Sequence, residues 1–190
     1  MEVLENALRA LGMGGMDPIE IVGQALGIVG MVINILSMQC RKTSGVFTML
    51  LIGGCFFTAN YFLLGSYAGA LMNVYSVFRS FYLLVDKRVR APSQLIVLMS
   101  VLAACGAVGL YYDGAIALLP LVAHIAANIG MWLRNGAKLR LLQLTVVSPL
   151  WLVNNFIVFT IGGILCEIFV IASVLVSIAR YGWKYLKESD

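Results

Sequence analysis

Asn60, Asn73, Asn154 and Glu167 stand inside stretches that are otherwise almost wholly apolar. An amide carries both a donor and an acceptor, which suits a neutral polyhydroxylated or amide-bearing solute. A carboxylate held away from water is poised to take a cation or a proton. Trp151 lies two residues beyond Pro149 and three before Asn154, so an aromatic face suited to stacking on a sugar or ring stands beside an amide. Asn73, Ser76 and Ser80 follow an i, i+3, i+7 spacing that draws a polar stripe down one helical face. The solute-binding candidates are therefore Asn73, Asn154, Trp151, Asn60 and Ser76. The competing account is that each amide only ties neighbouring helices together, a gain of about 1 kcal/mol.

Glu167, His124, Arg79, Pro149 and Pro120 are the candidates for coupling or gating. Glu167 breaks a pattern of amides. His124 is the only histidine, and a lone imidazole at depth is either a titrating relay or a neutral, hydrogen-bonded packing group. Arg79 either snorkels toward anionic headgroups or reaches inward to Glu167 or an anionic solute. Pro120 and Pro149 each remove a backbone hydrogen bond and bend a helix, as membrane bundles tolerate. Asn128, one turn after His124, matches Asn34, one turn after Gly30, and this pair is expected at a central contact between two halves. One histidine makes no multi-histidine metal site, the cysteines form no ligand cluster and no phosphate-cradling glycine loop is present. No enzyme, metal or cofactor is expected.

The elements that must position these groups follow from composition. Of 190 residues, 61% are hydrophobic and 12% charged, more apolar surface than a chain this size encloses in water. Apolar stretches near the ~20 residues that cross hydrocarbon recur along it. They are read as spans at 19–38, 44–64, 67–85, 92–111, 114–133, 139–159 and 162–182. The net charge of +4 falls in short basic clusters between them, the pattern of membrane loops and not of a nucleic-acid surface. Arg41, Lys42, Lys87, Arg88, Arg90, Arg134 and Lys138 mark the cytoplasmic loops, which places the N-terminus outside and the C-terminus in the cytoplasm.

The fold expected is thus an all-α integral membrane protein with seven transmembrane helices. A register offset by 94 residues pairs Asn34 with Asn128, Asn60 with Asn154, Gly69 with Gly163 and Asn73 with Glu167. It implies two parallel three-helix repeats joined by a linker helix. Residues 1–16 then form an amphipathic N-terminal helix and Gly-rich linker, with no cleavable signal. Residues 17–88 form the first repeat, 89–112 the linker helix, 113–184 the second repeat and 185–190 a cytoplasmic tail. Asp17-Pro18-Ile-Glu20 has the residues of a helix start: a capping Asp, a first-turn Pro and an acid at the third helical position.

A 3+1+3 arrangement with Asn73 on the third span resembles the SWEET, semiSWEET and PQ-loop group. Within it, Leu64-Gly-Ser-Tyr-Ala-Gly-Ala-Leu-Met-Asn73 and Asn154-Asn-Phe followed by Gly162-Gly163 resemble the YgjV-type bacterial inner-membrane family, over about residues 20–180. SWEET proteins are sugar facilitators with paired asparagines and aromatics around a central site. The resemblance carries that role to Asn73, with Glu167 at the paired position and Trp151 as the aromatic neighbour. Leu36-Ser37-Met38-Gln39 has the Gln of a PQ-loop signature without its Pro. The function expected is a permease for a small polar solute, by uniport or cation coupling, with alternating access between the halves. The alternative is a non-transporting membrane scaffold or partner-binding protein. Membrane lipid and an unknown solute are the partners, a homodimer is allowed, and the location is the bacterial inner membrane.

Overall fold

The computed structural model describes residues 15–37, 43–86, 91–133 and 141–181, which form six helical runs. They are α1 (Pro18–Ser37), α2 (Thr43–Leu63), α3 (Tyr67–Val85), α4 (Pro92–Trp132), α5 (Gln143–Val158) and α6 (Ile161–Tyr181). The expected N-terminal amphipathic helix, the basic loop residues and the tail lie outside the described residues.

The seven-span expectation is corrected by these runs. Among the described residues three helices, α1, α3 and α4, are long and apolar enough to cross a membrane. The apolar stretches Phe47–Leu63 within α2, Gln143–Val158 of α5 and Ile161–Val176 within α6 are shorter, at 10–17 residues. Two parallel three-helix repeats joined by a separate linker are therefore not what the described residues form. The supposed linker and the first span of the second half are one 41-residue helical run, α4. Its arms, Pro92–Asp113 and Leu118–Leu133, join through a 3-10 turn at Gly114–Ala117 with Gly114 at φ 63°, and they fold back so that Gly106 lies against Leu121. α5 carries its proline within the helical run. Pro149 has no amide to donate to the preceding turn, and the backbone ahead of it widens into a five-residue π segment, Gln143–Val147. Ser148 N–H bonds back to the Gln143 carbonyl, five residues earlier. Pro120 does not interrupt a span. It sits in the first turn of the α4 arm Leu118–Leu133, where a missing amide costs little.

Local chemistry explains the helix ends. Asp17 N–H donates to Glu20 Oε2 at 3.0 Å, one half of a capping box before α1. The turn into α3 uses Gly65 at φ 75° and Ser66, whose hydroxyl accepts from Gly69 N–H at 3.3 Å. The turn into α6 repeats the device. Phe159 takes the left-handed conformation at φ 56°, and Thr160 Oγ accepts from Gly163 N–H at 3.4 Å. Asp113, at the bend of α4, accepts from Ala68 N–H at 2.8 Å, a carboxylate placed on the positive end of α3.

The packing is inverted relative to a protein folded in water. Fully buried side chains include Gln24, Asn60, Asn128, Asn154, Asn155 and Thr160, whereas Phe81, Ile96, Phe156 and Phe169 are more than half exposed. Polar groups turn inward when the surrounding medium is hydrocarbon. Tyr61, Met72, Tyr75, Leu102 and Trp151 form the apolar core among them.

Candidate functional site

A cavity of about 200 Å³ opens between α1–α3 and α4–α6, and every one of the six helices contributes to its wall. That volume equals roughly six or seven waters at ~30 Å³ each, room for a small metabolite.

One end of the cavity is closed by hydrogen bonds between distant segments. Tyr61 OH donates to Asn155 Oδ1 across the gap between α2 and α5. Behind that pair, Gln24 spans the α5–α6 turn with both ends of its amide. Its Nε2 donates to the Phe159 carbonyl at 2.5 Å, and its Oε1 accepts from Ile161 N–H at 2.8 Å. Thr160 OH donates to Asn60 Oδ1 at 2.8 Å, and Asn60 Nδ2 donates to the Gly23 carbonyl at 2.8 Å. α1 and α6 meet so closely that a Cβ on Gly162 would run into the Gly27 backbone. From this seal the cavity runs toward Leu50, Ser80, Met131 and Gln143 at the opposite ends of their helices.

The wall is bipolar. On one side, Arg79 is buried and donates from Nη1 to Asn128 Oδ1 at 3.0 Å. Its guanidinium lies 5.7 Å from the Tyr75 ring centroid, a cation–π distance. Asn128 in turn donates to Tyr75 OH at 2.5 Å. On the other side, Glu167 Oε2 is buried without a hydrogen-bond partner, and so is Asn34 Oδ1. Both residues line the cavity, and no ion pair joins Glu167 to Arg79. Ser148 accepts from Gln143 Nε2 at 3.0 Å and lies beside the Glu167 carboxylate.

Between the two sides stands an aromatic wall. The Trp151 ring is 5.5 Å from His124 and 5.6 Å from Tyr61, centroid to centroid. His124 Nδ1 lies 3.0 Å from the Pro120 carbonyl, which only accepts, so that nitrogen carries the proton. In the neutral ring Nε2 is then the acceptor for Ser76 OH, 2.7 Å away. Asn73 donates from Nδ2 to the Gly69 carbonyl of its own helix at 2.9 Å, which leaves its carbonyl oxygen as the group it offers the cavity.

Of the residues expected at the solute, Asn73, Ser76 and Trp151 line this cavity, and Asn60 and Asn154 do not. Asn60 is engaged in the seal. Asn154 is buried with Nδ2 unpartnered, and its neighbour Asn155 takes the place on the wall. Among the coupling and gating candidates, Glu167, His124 and Arg79 line it, whereas Pro120 and Pro149 shape the helices behind it. Asn34 reaches the wall, but Asn128 is bonded to Arg79 and Tyr75 on α3, so the expected Asn34–Asn128 contact is replaced by Tyr61–Asn155. Gln24, Tyr61, Tyr75 and Gln143 are not among the candidates that the sequence offers. Gln24 had a readable signal, as an amide on an apolar helix face. Among the described residues no three His, Cys, Asp or Glu side chains come together to hold a metal ion.

Residues 21–184 match the Imp-YgjV family, described as bacterial inner membrane protein, and the chain belongs to that family. No curated protein and no solved structure matches it.

Proposed function

We propose that this multi-pass protein of the bacterial inner membrane is a permease for a small polar solute, with the cavity between α1–α3 and α4–α6 as its binding site. The observation that carries the reading is one cavity, walled by all six helices, into which an apolar chain turns Asn73, Ser76, His124, Asn155 and Glu167. Two lining oxygens, Glu167 Oε2 and Asn34 Oδ1, are buried without partners, which is costly unless water or a solute satisfies them. A scaffold that only bound partner helices would be served better by a packed interior.

The seal at the Thr160 turn gives the cavity one closed end, as an alternating carrier has in either of its states. Movement of α1–α3 against α4–α6 would break Tyr61–Asn155 and the Gln24 clamp and open that end. Trp151 supplies a flat face for the solute, Asn73 and Ser76 its polar contacts, and Glu167 a site for a coupled cation or for the solute itself.

Counterflow of labelled solute into proteoliposomes tests this, with loss expected in Asn73→Ala and Trp151→Ala. Absence of counterflow across a broad panel of small polar solutes would rule the permease out.

A further inference from the structure

The cavity holds an arginine and a glutamate that do not meet. Charged groups within a membrane bundle pair with one another unless function keeps them apart, because an unpaired charge at that depth is expensive. Arg79 instead turns to a neutral amide and an aromatic ring, and Glu167 Oε2 has no partner at all. A neutral sugar would satisfy neither. We propose that the solute is a small zwitterion, its carboxylate on Arg79 and its ammonium on Glu167 and Asn34, an assignment that rests on the permease reading.

Donor and acceptor counts support the orientation. An ammonium group has three donors and no acceptor. Glu167 Oε2 and Asn34 Oδ1 are buried, unpartnered acceptor oxygens on two lining residues; Asn34 lies against Gly53 and beside Cys166, the residue before Glu167, and Ser148 lies beside the Glu167 carboxylate. The Arg79 side presents donors: the guanidinium fork, whose geometry matches a carboxylate, with Ser80 one residue further along α3. Trp151 and Phe57 line the cavity as well and can cover the carbon stem of such a solute. With about 200 Å³ available, the cavity suits an amino acid with a short side chain, or an ω-amino acid, better than a peptide.

The full chain in proteoliposomes distinguishes the possibilities. The labelled probes are glycine, β-alanine and 4-aminobutyrate, three zwitterions of increasing charge separation, with propionate, ethanolamine and glucose as the anion, cation and neutral controls. At least one zwitterion should counterflow about tenfold faster than every control, because each charged contact is worth at least that factor. Glu167→Gln and Arg79→Gln should each slow it by about tenfold or more. Glu167→Asp and Arg79→Lys, which keep the charges, should retain part of it. Stabilisation of each variant against heat by the same zwitterion separates lost contact from lost fold. Glucose counterflow with no zwitterion carried would overturn the assignment and leave the permease standing. Propionate counterflow that requires sodium, with no zwitterion carried, would also overturn it, giving Glu167 to an inorganic cation. Failure of all six probes would overturn the zwitterion and count against the permease as well.

Discussion

Tyr61 on α2 and Asn155 on α5 are joined by a hydrogen bond from the phenol to the amide oxygen, at the closed end of the cavity. Each rests on a glycine of the following helix. A Cβ on Gly69 would stand 2.5 Å from the Tyr61 ring, and one on Gly163 would stand 2.8 Å from the Asn155 amide. The two glycines admit the two side chains to the interior, and the side chains then meet. The contact links segments 94 residues apart and draws the two parts of the bundle together.

Tyr61→Phe should keep the ring packed against Trp151 while stripping the donor from Asn155 Oδ1. Leaving that acceptor buried and unpaired costs about 1–3 kcal/mol, readable as a lower unfolding midpoint of the purified protein. Gly69→Ala should cost more, since the ring itself must move.

Gln24 offers a graded test of the seal. Gln24→Glu keeps the acceptor for Ile161 N–H and loses the donor to the Phe159 carbonyl. Gln24→Leu loses both. The order of stability should be wild type, then Leu, then Glu: Leu leaves two backbone groups unpaired at about 1–3 kcal/mol, and Glu sets a buried carboxylate against the Phe159 carbonyl, which costs more. Cysteine labelling at the Thr160 turn should become faster in the same order.

Gly162→Ala should destabilise the protein by about 1–3 kcal/mol or more, because its Cβ meets the backbone of Gly27 and not a side chain that can swing away. Gly15→Ala, with nothing nearby but φ 98°, should be milder. Thermal unfolding of the two variants side by side checks the order.

Asn128→Leu removes the acceptor from Arg79 and the donor to Tyr75 OH together. A buried cation that loses its partner costs about 3–5 kcal/mol, so this variant should fold poorly. Asn128→Asp keeps an acceptor for Arg79 and should be recovered in good yield. Size-exclusion profiles of the two separate these outcomes.

Trp151→Ala should uncouple stability from transport. The ring faces the cavity on one side, so its removal enlarges an existing space, and the loss should fall below the ~3–5 kcal/mol of a fully enclosed aromatic. Counterflow should vanish in Trp151→Ala and persist at reduced rate in Trp151→Phe, measured on proteoliposomes matched for protein content.

Much of this molecule was legible one residue at a time. Its apolar composition called for a membrane, and the inverted burial follows from that solvent. Asp17, Pro18 and Glu20 marked the start of α1 by their order, and Ser66 with Gly65 marked a helix turn. Asn73, Ser76, Arg79, His124, Trp151 and Glu167 were conspicuous as polar or aromatic groups in apolar sequence, and such groups turn inward when the medium cannot hydrogen-bond. What the sequence could not settle depends on phase and distance. One residue is about 100° on a helix, and that angle put Asn155 on the wall and Asn154 behind it. Counting apolar stretches could not tell that the two arms of α4 join through a 3-10 turn, or that the backbone ahead of Pro149 would widen into a π segment, because both depend on how the backbone is satisfied after packing. The partners of Gln24 lie 135 and 137 residues away. No periodicity reaches that far. Only the meeting of α1 with the α5–α6 turn decides that this amide closes the cavity and does not line it.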